Sequence, residues 1–463
     1  MSVIIFILLF ILIPAIFKKD YILYSFAFFY PILPEYFAID LGSKFPLLTA
    51  SRLLIIIITV YAIYKKGINL MIIYTKENKL IIYVITFVLL TFLSNAAYLS
   101  DGGFKYMLLT FLEKLLLALV LSTIVDSKEK LYGCINCLVM ASVILCVFGI
   151  VEAVTSNNVF YYLETTTRQL TMTSYQRLNI TRAEATFGHP ICFSVYLLLI
   201  IPFIMHYCDI TKKNLYRIMF GLAICALIST VSRASIAIFV CSFFVMLFLK
   251  NKKERKIYFN MIGIAIIIIL LSLIFIPSLS KFANQVFASI LNVLGFDFEL
   301  TDFGRNESGI LSRLFQFSMI EHVFEKNKFL FGCGVDYIYK NDVFLRSASG
   351  YVKMTSIDNE YLLVFIENGI IGLFAKVFLY FNIWKASFKR RHNDYLGQAF
   401  FFAFTMFFVT MFTVCELTTS KILWVVIGLF MSYVKYNSNS SLSQDIDSTD
   451  KQIIKGISNG NKS

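Results

Sequence analysis

The stretch ISTVSRASIAIF, residues 228–239, sets a single arginine between two long apolar runs. Those runs, residues 215–231 and 234–249, contain only one charged side chain, Arg217. Folded as helices, runs of this length cross the roughly 30 Å hydrocarbon core of a bilayer. A helix also bonds its backbone polar groups internally, as lipid requires. The stretch therefore predicts two membrane-spanning helices joined by a short loop that holds Arg233.

The same pattern recurs along the chain, which is 58% hydrophobic and only 15% charged over 463 residues. That composition excludes a soluble globular domain. We predict an all-α polytopic integral membrane protein with about 12–13 transmembrane helices. The predicted spans are residues 2–17, 21–39, 47–64, 79–98, 106–125, 131–154, 189–208, 215–231, 234–250, 257–276, 358–384, 397–415 and 419–436. Prolines interrupt the first two. The first lacks the basic flank and cleavage site of a signal peptide, so we expect it to be retained.

Four short loops rich in lysine and arginine indicate the orientation, because such loops face the cytoplasm. With the predicted spans, all four fall on one side. The opposite side receives two longer loops, residues 155–188 and 277–357, the second lying between the tenth and eleventh spans. Residues 1–436 thus form a transmembrane helical domain with these external loops. Residues 437–463, rich in Ser, Asn and Asp, predict a disordered cytoplasmic tail.

Arginine is distributed against this trend. Eight of the twelve arginines fall on the predicted external side: Arg52, Arg168, Arg177, Arg182, Arg233, Arg305, Arg313 and Arg346. A guanidinium suits phosphate or carboxylate, so the distribution indicates an anionic partner, although loop arginines beside lipid headgroups explain it as well. Arg233 is the sharpest case, because an ionisable group this close to hydrocarbon indicates function. Snorkelling to the interface is the alternative.

The segment TRAEATFGHP, residues 181–190, directly precedes a predicted span. Pro190 suits a helix start, where its missing N–H has no partner in any case. Arg182 and Glu184 are expected at the membrane surface. His189 either packs on the start of the helix or contacts substrate.

The large external loop contains ILSRLFQFSMIEHVF, residues 310–324. Apolar side chains at helical spacing predict an amphipathic helix that lies on the membrane or caps a cavity. The residues of this face are Ile310, Leu314, Phe317, Ile320 and Phe324. Arg313 projects from a different face. In the GCGVD sequence that follows, Gly332 and Gly334 are expected to turn the chain back.

The segment TSIDNEYLLVFIENGIIGLF, residues 355–374, enters the eleventh predicted span. Asp358 and Glu360 fall at its outer edge. A carboxylate there either stabilises the helix N-terminus or accepts a proton from a hydroxyl. Gly369 and Gly372 are expected to let another helix approach closely.

Several chemistries find no support in the sequence. No dinucleotide, phosphate-loop, zinc-protease or serine-hydrolase motif is present, and no metal-ligand spacing is visible, so neither a metal nor a cofactor is predicted. The basic residues are divided among loops and membrane edges, which argues against nucleic acid. Of the nine cysteines, only Cys333 falls in a large loop, so no disulfide framework is expected. Cys134 and Cys137 form a CxxC on an apolar run and are interpreted as packing residues.

Taken in order, the stretches TRAEATFGHP, STVSRAS, LSRLFQFSMIEHVFEKNKFLFGCGVD and DNEYLLVFIENGIIGL resemble the O-antigen polymerase and ligase family. The resemblance runs from about residue 180 to residue 375, and the N-terminal third matches only as generic spans. It implies a GT-C-like membrane glycosyltransferase that acts without metal on the outer face of the bacterial inner membrane. Its substrate would be an oligosaccharide carried on undecaprenyl diphosphate. By this resemblance Arg182, Arg233 and Arg313 would bind the diphosphate and stabilise the charge of the leaving group.

One position departs from the ligases of the family, which carry a His-Asn pair where this chain has Asp358-Asn359. The departure favours a polymerase of O-antigen, capsule or exopolysaccharide, with Asp358 as general base and Glu360 as second candidate. A chain-length regulator and a flippase are further candidate partners. An O-antigen ligase that transfers a finished chain to lipid A core is the alternative. A transporter of lipid-linked oligosaccharide would instead show repeated halves and broken helices.

Overall fold

The computed structural model describes residues 20–42, 45–166, 175–177, 180–260, 263, 315–347, 350–416 and 420–439. Its helices are α1 Tyr21–Ile32, α2 Ala50–Glu77, α3 Lys79–Asn95, α4 Phe104–Ile124, α5 Lys128–Thr155, α6 Pro190–Thr211, α7 Asn214–Ser229, α8 Arg233–Phe248, α9 Met319–Glu325, α10 Tyr337–Lys340, α11 Glu360–Arg390, α12 Tyr395–Thr410 and α13 Ser420–Asn439. Three short antiparallel hairpins join Ala38–Ile39 to Leu48–Thr49, Gln176–Arg177 to Ile180–Thr181, and Phe344–Ser347 to Gly350–Lys353.

The long helices alternate between two ends of a bundle. At one end, the basic end, Lys130 pairs with Asp126 at 2.6 Å and Lys250 pairs with Asp209. Tyr433 there donates to Asp394 at 2.8 Å. All four basic loops meet at this end, as the predicted alternation requires. The other end, here the cavity end, carries the start of α6, the loop between α7 and α8, and the start of α11.

Length and apolar composition make this a membrane bundle. Among the described residues five helices are long and apolar enough to cross a bilayer: Lys79–Tyr98, Phe104–Ile124, Lys128–Thr155, Pro190–Thr211 and Glu360–Arg390. Helix α6 is the central one, since 94% of its apolar window is buried by neighbours. Outer helices instead expose large apolar side chains such as Leu89, Ile218 and Phe381, which suits contact with lipid. An all-α polytopic membrane protein is therefore confirmed.

Two predicted spans differ in extent. The prediction ended the third span at residue 64, but helix continues to Glu77 because the chain bends at Gly67, whose φ is +72°, and then resumes. The second span was predicted to residue 39, but α1 ends at Ile32, beyond which Leu33 is extended before Pro34. The predicted span 2–17 and most of 257–276 lie outside the described residues.

Residues 315–347 and 350–357 form a small layer over the cavity end, in which Met319, Val323 and Ile338 pack against Ile366 of α11. Residues 310–314 of the predicted amphipathic helix lie outside the described residues, and within 315–324 a turn at Phe317–Ser318 interrupts the predicted helix. The described helix covers Met319–Glu325 and buries Met319 and Val323, whereas Phe317 and Phe324 are exposed. The predicted apolar face is therefore wrong at Phe317 and Phe324, because the helix is not continuous, whereas Ile320 does pack against the core of this layer.

Helix α11 breaks at Gly369, whose φ is +65°. Backbone from the FGCGVD segment fills the break: Cys333 N–H donates to Ile366 O at 2.7 Å, and Gly334 N–H donates to Glu367 O at 2.9 Å. In the other direction Ile370 N–H donates to Phe329 O at 2.9 Å. The predicted close approach at Gly369 is therefore made by a loop rather than by another helix, and it fixes residues 328–336 over the bundle.

Candidate functional site

A cavity of about 530 Å³ opens at the cavity end. Five segments line it: α4, the start of α6, residues 335–339, the start of α11 and residues 413–416. Its charged and polar wall comprises Tyr106, Glu113, Lys114, His189, Asp336, Tyr339, Asp358, Glu360, Glu367 and Glu416. The sequence predictions for Asp358, Glu360 and His189 therefore meet in one cavity. Glu113, Lys114 and Glu416 belong to it without having been predicted.

Asp358 lies two residues before α11 and is half-buried at the cavity wall. Its neighbour Asn359 caps the helix by accepting the Leu362 N–H at 3.1 Å. The Asp358 N–H donates to the side chain of Gln316 at 2.9 Å, which ties this turn to the outer layer. Because Asn359 makes the cap, the Asp358 carboxylate is not required for it.

Glu360 has a different setting. Its carboxylate pairs with Lys376 of the same helix, which pairs in turn with Glu416 after α12. The Glu416 N–H also donates to Glu360 Oε2 at 2.7 Å, and all three side chains are at most 7% exposed. The second-choice base is therefore held in a buried ion triad that joins the start of α11 to the end of α12. The sequence analysis did not single out Lys376; an isolated lysine inside a predicted span is the signal that could have indicated a buried partner.

His189 caps α6, its Nδ1 accepting the Ile191 N–H at 3.1 Å. Its ring packs edge-on against Tyr175, with centroids 4.5 Å apart. Burial, followed by the positive charge of Arg182, lowers the pKa of His189 to about 4, and the negative charge of Asp358 only partly opposes this. The imidazole is therefore neutral near pH 7. Since Nδ1 accepts a hydrogen bond, the geometry assigns the proton to Nε2.

Two hydrogen bonds join the segment that contains Arg182 to the turn before Arg233. Ala183 N–H donates to Ser229 O at 3.0 Å, and Arg182 Nε donates to Thr230 O at 2.8 Å. Arg233 is the first residue of α8 and is exposed. The turn before it is constrained, because Val231 adopts φ +51°, a region that β-branched residues rarely occupy. Two segments fifty residues apart thus present arginines at one edge of the bundle.

Glu184 does not lie at the surface as predicted. It is 1% exposed and accepts a hydrogen bond from Tyr161. Burial, followed by the nearby charge of Glu152, raises the pKa of Glu184 to about 8. Glu152 in turn accepts the backbone N–H groups of Glu184 at 3.1 Å and Ala185 at 2.9 Å. These carboxylates hold the TRAEAT turn rather than facing solvent.

Two further predictions need comment. Arg313 lies outside the described residues. Arg52, one of the predicted external arginines, is 7% exposed and pairs with Glu113 at 2.7 Å, so it supports the cavity wall instead of offering a free guanidinium.

Among the described residues no group of three His, Cys, Asp or Glu side chains is arranged to hold a metal ion.

The fold and this charged cavity define a polytopic membrane protein whose cavity opens at the bundle end away from its basic loops. Residues 218–377 match the family model described as O-antigen ligase. The matched segment runs from α7 into α11 and contains Arg233, Asp358, Glu360 and Lys376. The resemblance to the O-antigen polymerase and ligase family is thereby confirmed, while Arg182 and His189 lie ahead of the match. No curated protein matches the chain.

Proposed function

We propose that this protein polymerises oligosaccharide repeat units carried on undecaprenyl diphosphate, at the outer face of the bacterial inner membrane. The family supports O-antigen polymerase or ligase chemistry in the broad sense. The polymerase, its lipid-linked substrate and its orientation are our proposal. The product would be an O-antigen, capsule or exopolysaccharide chain.

One observation carries the proposal: three stretches that are far apart in sequence converge at one end of the bundle. Arg182 donates a hydrogen bond to the turn that leads to Arg233. The charges of both Arg182 and Asp358 influence the pKa of His189. His189 and Asp358 line the same cavity. Cations suited to a diphosphate thus lie at the same end of the bundle as a carboxylate suited to proton transfer, although Asp358 lines the cavity and the two arginines do not.

In the reaction we propose, a hydroxyl of the acceptor repeat unit attacks the anomeric carbon of the growing chain. A new carbon–oxygen bond forms there, and the bond to the diphosphate breaks with its electron pair leaving on phosphate. Asp358 accepts the hydroxyl proton. Arg182 and Arg233, with Arg313 as predicted from the sequence, neutralise the leaving diphosphate. Inversion at the anomeric carbon is the simplest outcome.

The ligase alternative gains one observation. Ligases of the family carry a His-Asn pair where this chain has Asp358-Asn359. A neutral imidazole, that of His189, nevertheless lines the same cavity from another segment of the chain. Activation of an acceptor by His189 would therefore be compatible with ligation to lipid A core. The transporter alternative predicted broken helices, and α11 is broken at Gly369, but loop backbone fills that break, which suits a static wall better than a moving gate.

Complementation of a strain lacking the gene tests the proposal. We would express wild type, Asp358→Asn or Arg233→Ala, match protein levels, and separate the surface glycan by gel. Wild type should restore a ladder of chain lengths, and Asp358→Asn should reduce polymer by roughly 10²–10⁴-fold, as loss of a general base does. Arg233→Ala should reduce it as well, because charge on the leaving group is less stabilised.

Two matched controls keep the test specific. Asp342→Asn alters an exposed ion pair with Lys353, and Arg217→Ala removes a half-buried guanidinium at the basic end; both should retain the ladder. If the strain without the gene keeps long chains on undecaprenyl diphosphate but none on lipid A core, the protein is a ligase and the proposal fails. Full activity of Asp358→Asn would remove that residue from the mechanism.

A further inference from the structure

A second large cavity lies at the basic end, remote from the site already described. Its volume is about 730 Å³, and it is bounded by the first turn of α3, the last third of α11 and the last turns of α13. Asn78, which caps α3, donates to Met431 O of α13 at 3.1 Å and fixes one wall. The cavity is therefore a gap between packed helices and not a crevice of a loose loop.

The lining of this cavity is cationic. Lys79, Lys385, Lys389, Arg390 and Lys435 all contribute to it. Among the described side chains no carboxylate lines the cavity, and none forms an ion pair with Lys79, Lys385, Lys389 or Arg390. Three other lysines at this end, Lys65, Lys66 and Lys130, are instead paired with Asp20 or Asp126, whereas Lys252 and Lys253 are exposed at the surface outside the cavity. Four converging cations, Lys79, Lys385, Lys389 and Arg390, for which the described residues supply no carboxylate, favour an anionic ligand.

Neutral donors complete the wall. Tyr83, Ser122 and Asn382 line the cavity beside the cations. Large apolar side chains on the same helices face outward next to it: Ile82 follows Ile81 on α3 and is 55% exposed, and Phe381 precedes Asn382 on α11 and is also 55% exposed. A ligand with an anionic head and apolar tails matches this combination better than a free soluble anion does.

We propose that the cavity lined by Lys79, Lys385, Lys389 and Arg390 binds the phosphate group of an anionic membrane phospholipid from the leaflet at the basic end. The phosphate would lie among the cationic side chains, and the acyl chains would run along the outward apolar faces of α3 and α11. Basic gaps between transmembrane helices are suited to anionic headgroups. The bound lipid would bridge α3, α11 and α13, and α11 carries Asp358 at its far end.

Thermal unfolding of the purified full chain in a zwitterionic detergent tests the site. Wild type would be titrated with phosphatidylglycerol, with phosphatidylcholine of the same chain length, and with inorganic phosphate. A ligand that binds only the folded state raises the unfolding temperature with concentration. We expect phosphatidylglycerol to raise it by several degrees, phosphatidylcholine to raise it much less, and inorganic phosphate to leave it nearly unchanged.

The decisive comparison uses two charge-matched double variants. Lys385→Gln with Lys389→Gln should lose most of the shift, whereas Lys252→Gln with Lys253→Gln, which removes two exposed lysines at the same end outside the cavity, should keep it. Equal shifts in the two variants would overturn the site, because the lysines would then act only as diffuse surface charge. An equal shift from inorganic phosphate would overturn the lipid as the ligand.

Further variants test the site if the double variant does not fold. If the Lys385/Lys389 double variant elutes as aggregate, the single variants Lys385→Gln and Lys389→Gln and the charge-keeping Lys389→Arg replace it. Each Gln variant should lose part of the shift, and Lys389→Arg should retain it. Native mass spectrometry of the same samples should count fewer bound phosphatidylglycerol molecules on each Gln variant than on wild type, and an unchanged count would refute the site.

Discussion

Glu184 shows how one buried side chain sets a pH dependence. Its pKa is raised to about 8 from an ordinary value of 4.5. The folded chain therefore binds one more proton than the unfolded chain between those values, so this group favours folding most below pH 4.5. That contribution is lost as pH rises to about 8. Since a difference of one pKa unit corresponds to about 1.4 kcal/mol, this group changes the free energy of unfolding by on the order of a few kcal/mol across that pH range.

Glu184→Gln should remove this dependence. The amide keeps an oxygen for Tyr161, which donates to Glu184 in wild type, and carries no charge to desolvate. The unfolding temperature of wild type in detergent should fall more steeply between pH 5 and pH 9 than that of the variant, with the variant more stable at pH 9. The exposed Glu325→Gln serves as control and should follow wild type. Parallel curves for all three proteins would show that Glu184 is ionised throughout.

At the scale of the element, the break in α11 depends on Gly369. A Cβ there would lie 2.3 Å from Leu330 O, and the φ of +65° is costly for any other residue. Gly369→Ala should destabilise the protein by about 1–3 kcal/mol from backbone strain alone, with more from displacement of the FGCGVD segment. The measurement is thermal unfolding in detergent, together with the yield of monodisperse protein.

A glycine in an ordinary helix supplies the control for that prediction. Gly221 in α7 has helical backbone and nothing within 4 Å of an added Cβ. Gly221→Ala should be neutral or should stabilise α7 by about 0.5–1 kcal/mol. If Gly369→Ala unfolded no earlier than Gly221→Ala, the loop would not be anchored at the break.

The triad of Glu360, Lys376 and Glu416 makes a second prediction at this scale. Lys376→Met would leave the buried Glu360 carboxylate without its lysine and Glu416 with the more distant Lys114 at 3.9 Å, and breaking a buried pair in this way costs about 3–5 kcal/mol. Lys353→Met breaks only the exposed pair with Asp342 and should cost at most about 1 kcal/mol. Urea or thermal unfolding of the two variants, compared with wild type, gives the difference. Similar losses would mean that the triad is solvated.

Some of these elements could be predicted from the sequence and others could not. Apolar runs predicted α3 from Lys79 and α11 from near Glu360, because a helix that crosses the hydrocarbon core must consist mainly of apolar residues. Asp358 and His189 were predicted from their place at helix starts, and both line the cavity. The break at Gly369 could not be predicted, since the Leu330 carbonyl that packs against this glycine lies in a distant loop. Nor could the pairing of Lys376 with Glu416, forty residues away, be read from spacing.

At the scale of the whole molecule, the two ends differ in kind. The basic end gathers the lysine-rich loops, and the cavity end gathers carboxylates, His189 and the arginines of two separate turns. Lysine-rich loops remain in the cytoplasm during insertion. The cavity end should therefore face outward, where a lipid-linked repeat unit would meet Asp358. The proposed polymerase requires this orientation, because the opposite one would expose the cavity to the cytosol.

Cysteine labelling in intact cells tests the orientation directly. Ser356→Cys places a thiol at the exposed cavity rim, and Lys253→Cys places one at the exposed basic end. A membrane-impermeant maleimide should label Ser356→Cys in intact cells whose outer barrier admits it, and should label Lys253→Cys only after the inner membrane is opened. Wild type supplies the background of the nine native cysteines, all of which are free thiols. If Lys253→Cys alone were labelled in intact cells, the cavity would face the cytosol. The proposal of polymerisation at the outer face would then be wrong.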